Sequence, residues 1–137
     1  MLKLIANDAD DLKILASALQ DAILRVGDIR FDPVARAVSL RVSRYRHESG
    51  VKERIECGVR IDGVMSLQSL GVSRDNKDAF MVILDAVFEE TDAPAGQLDI
   101  MLAGGGALRV LVEGLDVLLA DVGEPRATTS EPDHDLT

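Results

Sequence analysis

The sequence predicts an α+β domain built on a single antiparallel sheet, open or partly closed into a barrel, of about seven strands with an N-terminal and a short C-terminal helix. A ten-residue apolar run at 79–88 is typical of a central strand. Around it, shorter segments alternate apolar and polar residues and are joined by loops of hairpin length, which favours antiparallel pairing. Helical spacing of apolar residues is confined to two segments near the ends of the chain.

The apolar run 79–88 carries large side chains on both faces of a strand, so we expect other elements to cover it on both sides. Its β-branched and aromatic residues favour a strand over a buried helix. Asp85 is the one charged residue in the run. A buried Asp85 would need a cationic partner, such as Arg109 or Arg60 on a neighbouring strand. The alternative is that Asp85 lies exposed near the rim of the sheet.

The N-terminal helix is predicted over residues 8–26, where apolar residues recur every three or four positions. Asp8 is suited to the N-cap, and Gly27 is suited to the position after the C-cap. The short C-terminal helix is predicted over residues 114–122, where leucines return at helical spacing before a glycine and a proline. Both helices would rest on the sheet.

Further strands are predicted from alternation between apolar and polar residues, at 28–31, 37–45, 52–61, 64–72, 97–103 and 107–112. Asp62-Gly63 predicts a tight hairpin between two of them. The run of three glycines at 104–106 predicts another hairpin turn, because it lacks the lysine and the following helix of a phosphate-binding loop. The domain is therefore expected to span residues 1–123, followed by a flexible polar tail at 124–137.

Composition argues against several classes of function. The net charge is −9 and aromatic residues make up 3% of the chain, so we expect no binding to nucleic acid, which requires positive charge and stacking side chains. No apolar run is long enough for a membrane helix or a signal peptide, so we expect a soluble, cytoplasmic protein without membrane association. The single cysteine, Cys57, agrees with a reducing compartment.

The sequence offers no catalytic or metal-binding constellation. Cys57 alternates with Ile55 and Val59, which predicts an inert buried thiol. The two histidines, His47 and His134, are far apart and lack a cysteine pair, so they do not form a zinc pattern. We therefore predict no catalytic residues, no metal and no cofactor.

Residues 36–60 carry a charge opposite to that of the whole chain. This segment holds seven basic and three acidic residues, within a chain of net charge −9. Arginines on a rigid sheet are fork-shaped donors for carboxylate and phosphate groups, which predicts a surface for an anion or an acidic partner. The alternative is an edge hairpin protected by charge, with cross-strand pairs such as Arg41 with Glu56.

Strand alternation predicts which of these residues share a face. Three arginines should point outward together, with a tyrosine close by and a further arginine nearer to the loop. The residues expected on or beside this surface are Arg41, Arg54, Arg60, Tyr45 and Arg44.

Several short motifs spread over the chain carry a resemblance to a known family: Asp10-Asp11-Leu12, Val26-Gly27-Asp28, Ala103-Gly104-Gly105-Gly106-Ala107, Leu119-Ala120-Asp121 and Pro132-Asp133-His134. With these motifs the chain resembles an uncharacterised bacterial domain of unknown function found mainly in alphaproteobacteria. The resemblance implies no activity and no catalytic residues, and it raises docking of the tail as an alternative to flexibility. The order of strands and C-terminal helix also resembles the pleckstrin-homology-like barrel, in topology alone.

Besides a purely structural subunit of a larger assembly, which would expose a large apolar patch, these observations lead to two hypotheses of different class. The first is a non-enzymatic interaction module that binds a protein partner or a second copy of itself through the basic segment at 36–60. The second is a domain that binds a small anionic ligand, or a weak enzyme, with Asp85 and an arginine in a pocket between helix and sheet.

Overall fold

The structure is a computed structural model that describes residues 1–128. The described chain forms one helix and ten strands: β1 (Lys3–Ala6), α1 (Ala9–Leu19), β2 (Ile23–Asp32), β3 (Ala37–Tyr45), β4 (Glu53–Asp62), β5 (Val64–Leu70), β6 (Phe80–Asp92), β7 (Ala95–Leu102), β8 (Ala107–Val112), β9 (Val117–Asp121) and β10 (Arg126–Ala127). All strand pairings are antiparallel. The α+β class and the antiparallel sheet are therefore confirmed. The predictions of about seven strands, a second helix and a partly closed barrel are wrong.

The strands follow the order β1-β9-β4-β3-β2-β6-β7-β8-β5, and β10 pairs with β4. The 13-residue β6 joins the two halves of the sheet, because its first residues pair with β2 and the rest pair with β7. Buried side chains from both halves and from α1 form one hydrophobic cluster. The sheet is thus bent around a single core, and α1 packs inside the bend against β6 and β1.

The N-terminal helix begins as predicted but ends earlier. Asp8 is the N-cap, and its carboxylate accepts a hydrogen bond of 2.7 Å from the backbone N–H of Asp11. The helix ends at Leu19, and Asp21 adopts a left-handed conformation with φ of 69°. The residues at 23–26, predicted to be helical, belong to β2, where Leu24 is fully buried. Pairing of this segment with β3 and β6 outweighs its helical spacing.

The predicted C-terminal helix is a strand instead. Leu115, Val117 and Leu119 are buried and alternate with more exposed residues, as in a strand with one face toward the core. β9 lies between β1 and β4 and pairs with both, so its backbone is hydrogen-bonded on either side. The short β1, which the sequence did not predict, completes this part of the sheet.

β6 is central in the sheet, as predicted, but it is not covered on both sides. A register shift between Ile83 and Asp85 changes which residues face the core, so that Ile83 is buried before the shift and Ala86 after it. Phe80 and Val87 are 64% and 50% exposed. Asp85 also points outward and is exposed, as the second of the two alternatives expected, and its carboxylate accepts a hydrogen bond of 2.8 Å from the N–H of Ala86.

Two predicted turns have different outcomes. Asp62-Gly63 turns the chain, with φ of 68° at the glycine, but it does not form the predicted hairpin because β4 and β5 are not neighbours. It carries the chain from one half of the sheet to the other. Gly104 and Gly105, with φ of 89° and 94°, connect the paired strands β7 and β8. This confirms the hairpin turn predicted at the three glycines.

The segment predicted as a flexible tail, 124–137, begins inside the described region. Arg126 and Ala127 form β10 and pair with the start of β4, and the N–H of Thr128 donates to the carbonyl of Lys52 at 3.0 Å. Residues 129–137 lie outside the described residues. The described part of the chain contains no helix that is long and apolar enough to cross a membrane.

Candidate functional site

An open groove of about 480 Å³ crosses the outer face of β2, β3, β4 and β9. Arginines from three different strands line it: Arg30 on β2, Arg41 on β3 and Arg60 on β4. The groove also contains the small residues Ser39, Gly58 and Ala120. Asp28 is the one acidic residue among those that line it. The arginines therefore surround a stretch of sheet with little side-chain bulk of its own.

The strand register fixes the arrangement of these arginines. Ser39 lies opposite Arg30 on β2 and opposite Arg60 on β4, so the two arginines flank it. Because neighbouring strands are about 4.8 Å apart, the Cα atoms of Arg30 and Arg60 are separated by about 10 Å. Arg41 lies two residues along β3, opposite Gly58. A bound anion can thus be reached from three directions.

Two of the groove arginines already have carboxylate neighbours. Arg41 pairs with Glu56 at 3.3 Å, the cross-strand contact that the sequence offered as an alternative, and Arg60 pairs with Asp62 at 3.0 Å. All four side chains are exposed, and such pairs contribute only about 0–1 kcal/mol to stability. Within residues 1–128, Arg30 forms no ion pair. A partner with carboxylates can therefore displace these contacts at little cost.

Arg54, expected on the same surface, is engaged elsewhere. Its guanidinium donates to the carbonyl oxygen of Ser43 at 2.9 Å and, at 3.5 Å, to that of Asp21. It also lies 5.9 Å from the centre of the Tyr45 ring. Burial lowers the pKa of Arg54. Arg54 and Tyr45 therefore connect the start of β4 to β3 and to the turn after α1, and they do not line the groove.

Arg44 is buried in the structure, and its surroundings form a network at the end of β3. Arg44 and Asp121 are each 1% exposed, and two hydrogen bonds of 2.7 Å join them in a fork-shaped pair. Arg44 also donates to both carboxylate oxygens of Glu48, at 2.8 and 3.1 Å. The carboxylate of Asp121 accepts a further hydrogen bond of 2.7 Å from the N–H of Leu2. The network thus links β3 and β9 to Leu2, the residue just before β1.

Hydrogen bonding shifts the pKa values of the groups in this network more strongly than burial does. Burial alone would lower the pKa of Arg44, but its bonds to Asp121 and Glu48 raise it. Burial alone would raise the pKa of Asp121, but Arg44 and the N–H of Leu2 lower it. The hydrogen bonds from Arg44 lower the pKa of Glu48 to about 2. All three groups are therefore charged at neutral pH, in a structural role away from the groove.

The comparisons with known proteins place the chain in one family. Residues 2–134 match the family described as a protein of unknown function, DUF2948. The chain belongs to this family. The resemblance to an uncharacterised family that the sequence motifs indicated is thereby confirmed. No curated protein and no solved structure matches the chain. The function of this DUF2948 protein therefore has to be argued from its own residues.

The second predicted site, with Asp85 and an arginine in a pocket between helix and sheet, does not form. A cavity of about 290 Å³ beside α1 contains Asp85 together with Lys13 but no arginine. Arg109 faces Asp99 across the strands and pairs with it at 3.0 Å, and this hydrogen bond raises the pKa of Arg109. The register shift in β6 turns Asp85 outward, so the pairing with Arg109, which was expected only for a buried Asp85, does not form.

The residues considered for nucleophilic or metal chemistry are dispersed in this DUF2948 protein. Cys57 is buried, as predicted, and burial together with the charge of Asp121 raises its pKa to about 12. The Nε2 atom of His47 lies 3.1 Å from the carbonyl oxygen of Gln20. His134 lies outside the described residues. Residues 1–128 contain no group of three or more His, Cys, Asp or Glu side chains placed to hold a metal ion.

Two features of this region were not predicted, although the sequence contains a pattern that indicates each of them. Arg30 was placed on a separate short strand, although it belongs to the ten-residue β2 that runs beside β3. Arg44 has the same strand alternation as the buried Val42 and Leu40, which indicates an inward side chain. A buried arginine requires carboxylate partners, and only the three-dimensional structure identifies them.

The network around Arg44 predicts how stability depends on pH. The pKa values of Glu48 and Asp121 are lowered in the folded protein, so their contribution is present above their ordinary pKa and is lost as pH falls below it. We expect the urea midpoint to fall between about pH 4.5 and pH 2, the usual and folded pKa of Glu48. Glu48→Gln should show a smaller fall over this range. The exposed Glu90→Gln is the control and should follow the wild type, whereas an unchanged slope in Glu48→Gln would contradict the role of Glu48.

Proposed function

We propose that this protein is a non-enzymatic interaction module that binds an acidic segment of a protein partner in the groove lined by Arg30, Arg41 and Arg60. One observation carries the proposal: on a chain of net charge −9, arginines from three strands surround a groove of about 480 Å³ with small residues between them. Arginine is suited to such a role because its planar fork binds carboxylates in a bidentate manner.

The dimensions of the groove favour a polypeptide as the partner. Arg30 and Arg60 are separated by about 10 Å at their Cα atoms, which is close to the rise over three residues of an extended chain. Carboxylates three residues apart in such a segment can reach both arginines at once. Leu118 and Val122 add apolar surface beside the charged groups, which an acidic segment with an apolar residue can use.

The negative charge of the whole protein does not prevent this binding. Charges more than about 8 Å apart are largely screened at physiological ionic strength, so the acidic residues outside the groove oppose an incoming segment only weakly. At contact, three arginines face the segment against one acidic residue, Asp28, among those that line the groove. The nearby carboxylates of Glu56 and Asp62 are each paired with a groove arginine. A nucleic acid is a less suitable anion because its backbone would meet the same net charge along its length. The single buried Cys57 suits a reducing compartment such as the cytoplasm.

A peptide titration tests the proposal. Acetylated hexaglutamate added to ¹⁵N-labelled protein should shift the amide resonances of Ser39, Gly58 and Ala120 in a saturable manner. The double variant Arg41→Gln and Arg60→Gln should weaken binding by about tenfold or more, because it removes charge-assisted hydrogen bonds. Its melting temperature should stay close to that of the wild type, since the lost ion pairs are exposed.

The matched control carries the same change of charge elsewhere, with Lys3→Gln and Lys13→Gln on exposed positions of β1 and α1. Equal weakening in both double variants would show non-specific attraction and would contradict the proposal. A second variant tests shape: a Cβ atom at Gly58 would contact only Val122 at 3.9 Å and the carbonyl of Ala120 at 4.0 Å, so Gly58→Ala should fold normally. It should nevertheless weaken peptide binding by narrowing the groove.

A further inference from the structure

A second cavity lies on the other side of Arg30, where the bent sheet stays open. It has a volume of about 340 Å³ and separates the second half of β2 from β5. Its apolar wall consists of Val26, Ile29, Phe31, Leu67 and Val72. Its size falls at the lower end of ligand pockets, which span about 300–1,000 Å³.

The polar side chains that line this cavity are either positively charged or neutral. Arg30, Arg74 and Lys77 line it, whereas no acidic side chain does. The Nε of Arg74 donates to the hydroxyl of Ser69 at 3.0 Å, which directs the guanidinium along the cavity. Within the described chain, neither Arg74 nor Lys77 forms an ion pair. All three cationic residues are exposed, so water solvates their charge, and no carboxylate that lines the cavity competes with an incoming anion for them.

The loop that supplies these cations is attached to β2 by backbone contacts. The N–H of Gly27 donates to the carbonyl of Lys77 at 2.9 Å, and the N–H of Val26 donates to that of Ala79 at 3.0 Å. A Cβ atom at Gly27 would lie 3.1 Å from the Lys77 carbonyl oxygen, so the absence of a side chain permits this close approach. The cavity is therefore formed before any ligand arrives.

We infer that this cavity binds a small amphipathic carboxylate. Its head group would accept hydrogen bonds from Arg74 and Lys77, and its hydrocarbon part would lie along Leu67 and Val72. The inference goes beyond the proposed peptide groove, because it concerns a different site and a different class of ligand. Arg30 borders both sites, so it is left unchanged in both sets of variants.

Octanoate is the probe for this site, and octanol is its uncharged counterpart. Octanoate added to ¹⁵N-labelled protein should shift the amides of Gly27, Ser69 and Val72 in a saturable manner, and octanol should bind at least about tenfold more weakly because it lacks the charge. The double variant Arg74→Gln and Lys77→Gln should weaken octanoate binding to a similar extent.

Two controls separate this site from the peptide groove. The Lys3→Gln and Lys13→Gln variant and the Arg41→Gln and Arg60→Gln variant should both bind octanoate within about twofold of the wild type, because their charges lie outside the cavity. Equal binding of octanol and octanoate, or equal loss in all three double variants, would overturn the inference. Absence of saturable shifts near Gly27 would overturn it as well, and none of these results would bear on hexaglutamate binding.

Discussion

Replacing Arg44 with methionine is expected to lower the free energy of unfolding by about 3–5 kcal/mol, the usual cost of removing one partner from a buried ion pair. Methionine fills much of the space of the arginine stem but leaves the carboxylate of Asp121, which is 1% exposed, without its fork of two hydrogen bonds. Glu48 can turn toward water, because its side chain is 46% exposed. The loss therefore arises mainly at Asp121. Urea unfolding at pH 7 measures it.

The matched control for this change is Arg41→Met on the same strand. Arg41 also contacts a carboxylate, but in an exposed pair, so its loss should cost only about 0–1 kcal/mol. Adding Asp121→Asn to Arg44→Met removes the unpaired charge and keeps an acceptor for the N–H of Leu2, so part of the stability should return. Equal losses for Arg41→Met and Arg44→Met would contradict a buried ion pair at Arg44.

The strands with the clearest alternation could be predicted from the sequence. The predicted bounds of β3 (Ala37–Tyr45) and β8 (Ala107–Val112) agree with the structure at both ends. After the first residue of each strand, buried and more exposed residues alternate, and each strand is paired on both edges. Local sequence and tertiary environment therefore favour the same structure in these two segments.

The wrong predictions of helix lie in segments whose apolar residues fit the spacing of both a helix and a strand. Residues 22–26 extend the apolar spacing of α1, yet Leu24 also alternates with exposed Arg25 as in a strand. The same ambiguity applies to 114–122, where Leu115 and Leu119 fit both a helix and a strand. In each case the decisive partners are strands distant in the sequence, which a local pattern does not contain. The four-residue β1 is too short to show a period at all.

The candidate site could be predicted only in part for a related reason. Strand alternation correctly gives the outward direction of Arg41 and Arg60, but the groove also needs Arg30 from β2 and the small Ala120 from β9. Arg54 shares the alternation of Arg60 yet lies beside the carbonyls of Ser43 and Asp21, which only the folded chain brings near it. Alternation therefore predicts a direction, whereas the tertiary neighbours decide whether an arginine is available to a partner.

Gly96→Ala and Gly58→Ala are expected to have opposite effects, although both glycines lie in strands with ordinary backbone conformations. A Cβ atom at Gly96 would lie 2.5 Å from the carbonyl oxygen of Glu89 and 2.6 Å from the ring of Phe88. Forcing a methyl group into this space should cost about 1–3 kcal/mol. At Gly58 the nearest atoms are at ordinary contact distance, so alanine should raise stability by roughly 0.5–1 kcal/mol through lower chain entropy in the unfolded state.

Urea unfolding of the two alanine variants, measured side by side, decides what each glycine does. A loss of stability in Gly58→Ala equal to that in Gly96→Ala would mean that packing requires both glycines. It would contradict the claim that Gly58 lacks a side chain in order to leave space in the groove. If Gly58→Ala keeps the stability of the wild type, the strand tolerates a side chain at this position. The glycine is then needed for the open space between Arg41 and Arg60 and not for packing of the core. Hexaglutamate binding to the stable Gly58→Ala variant then measures how much that space contributes to recognition.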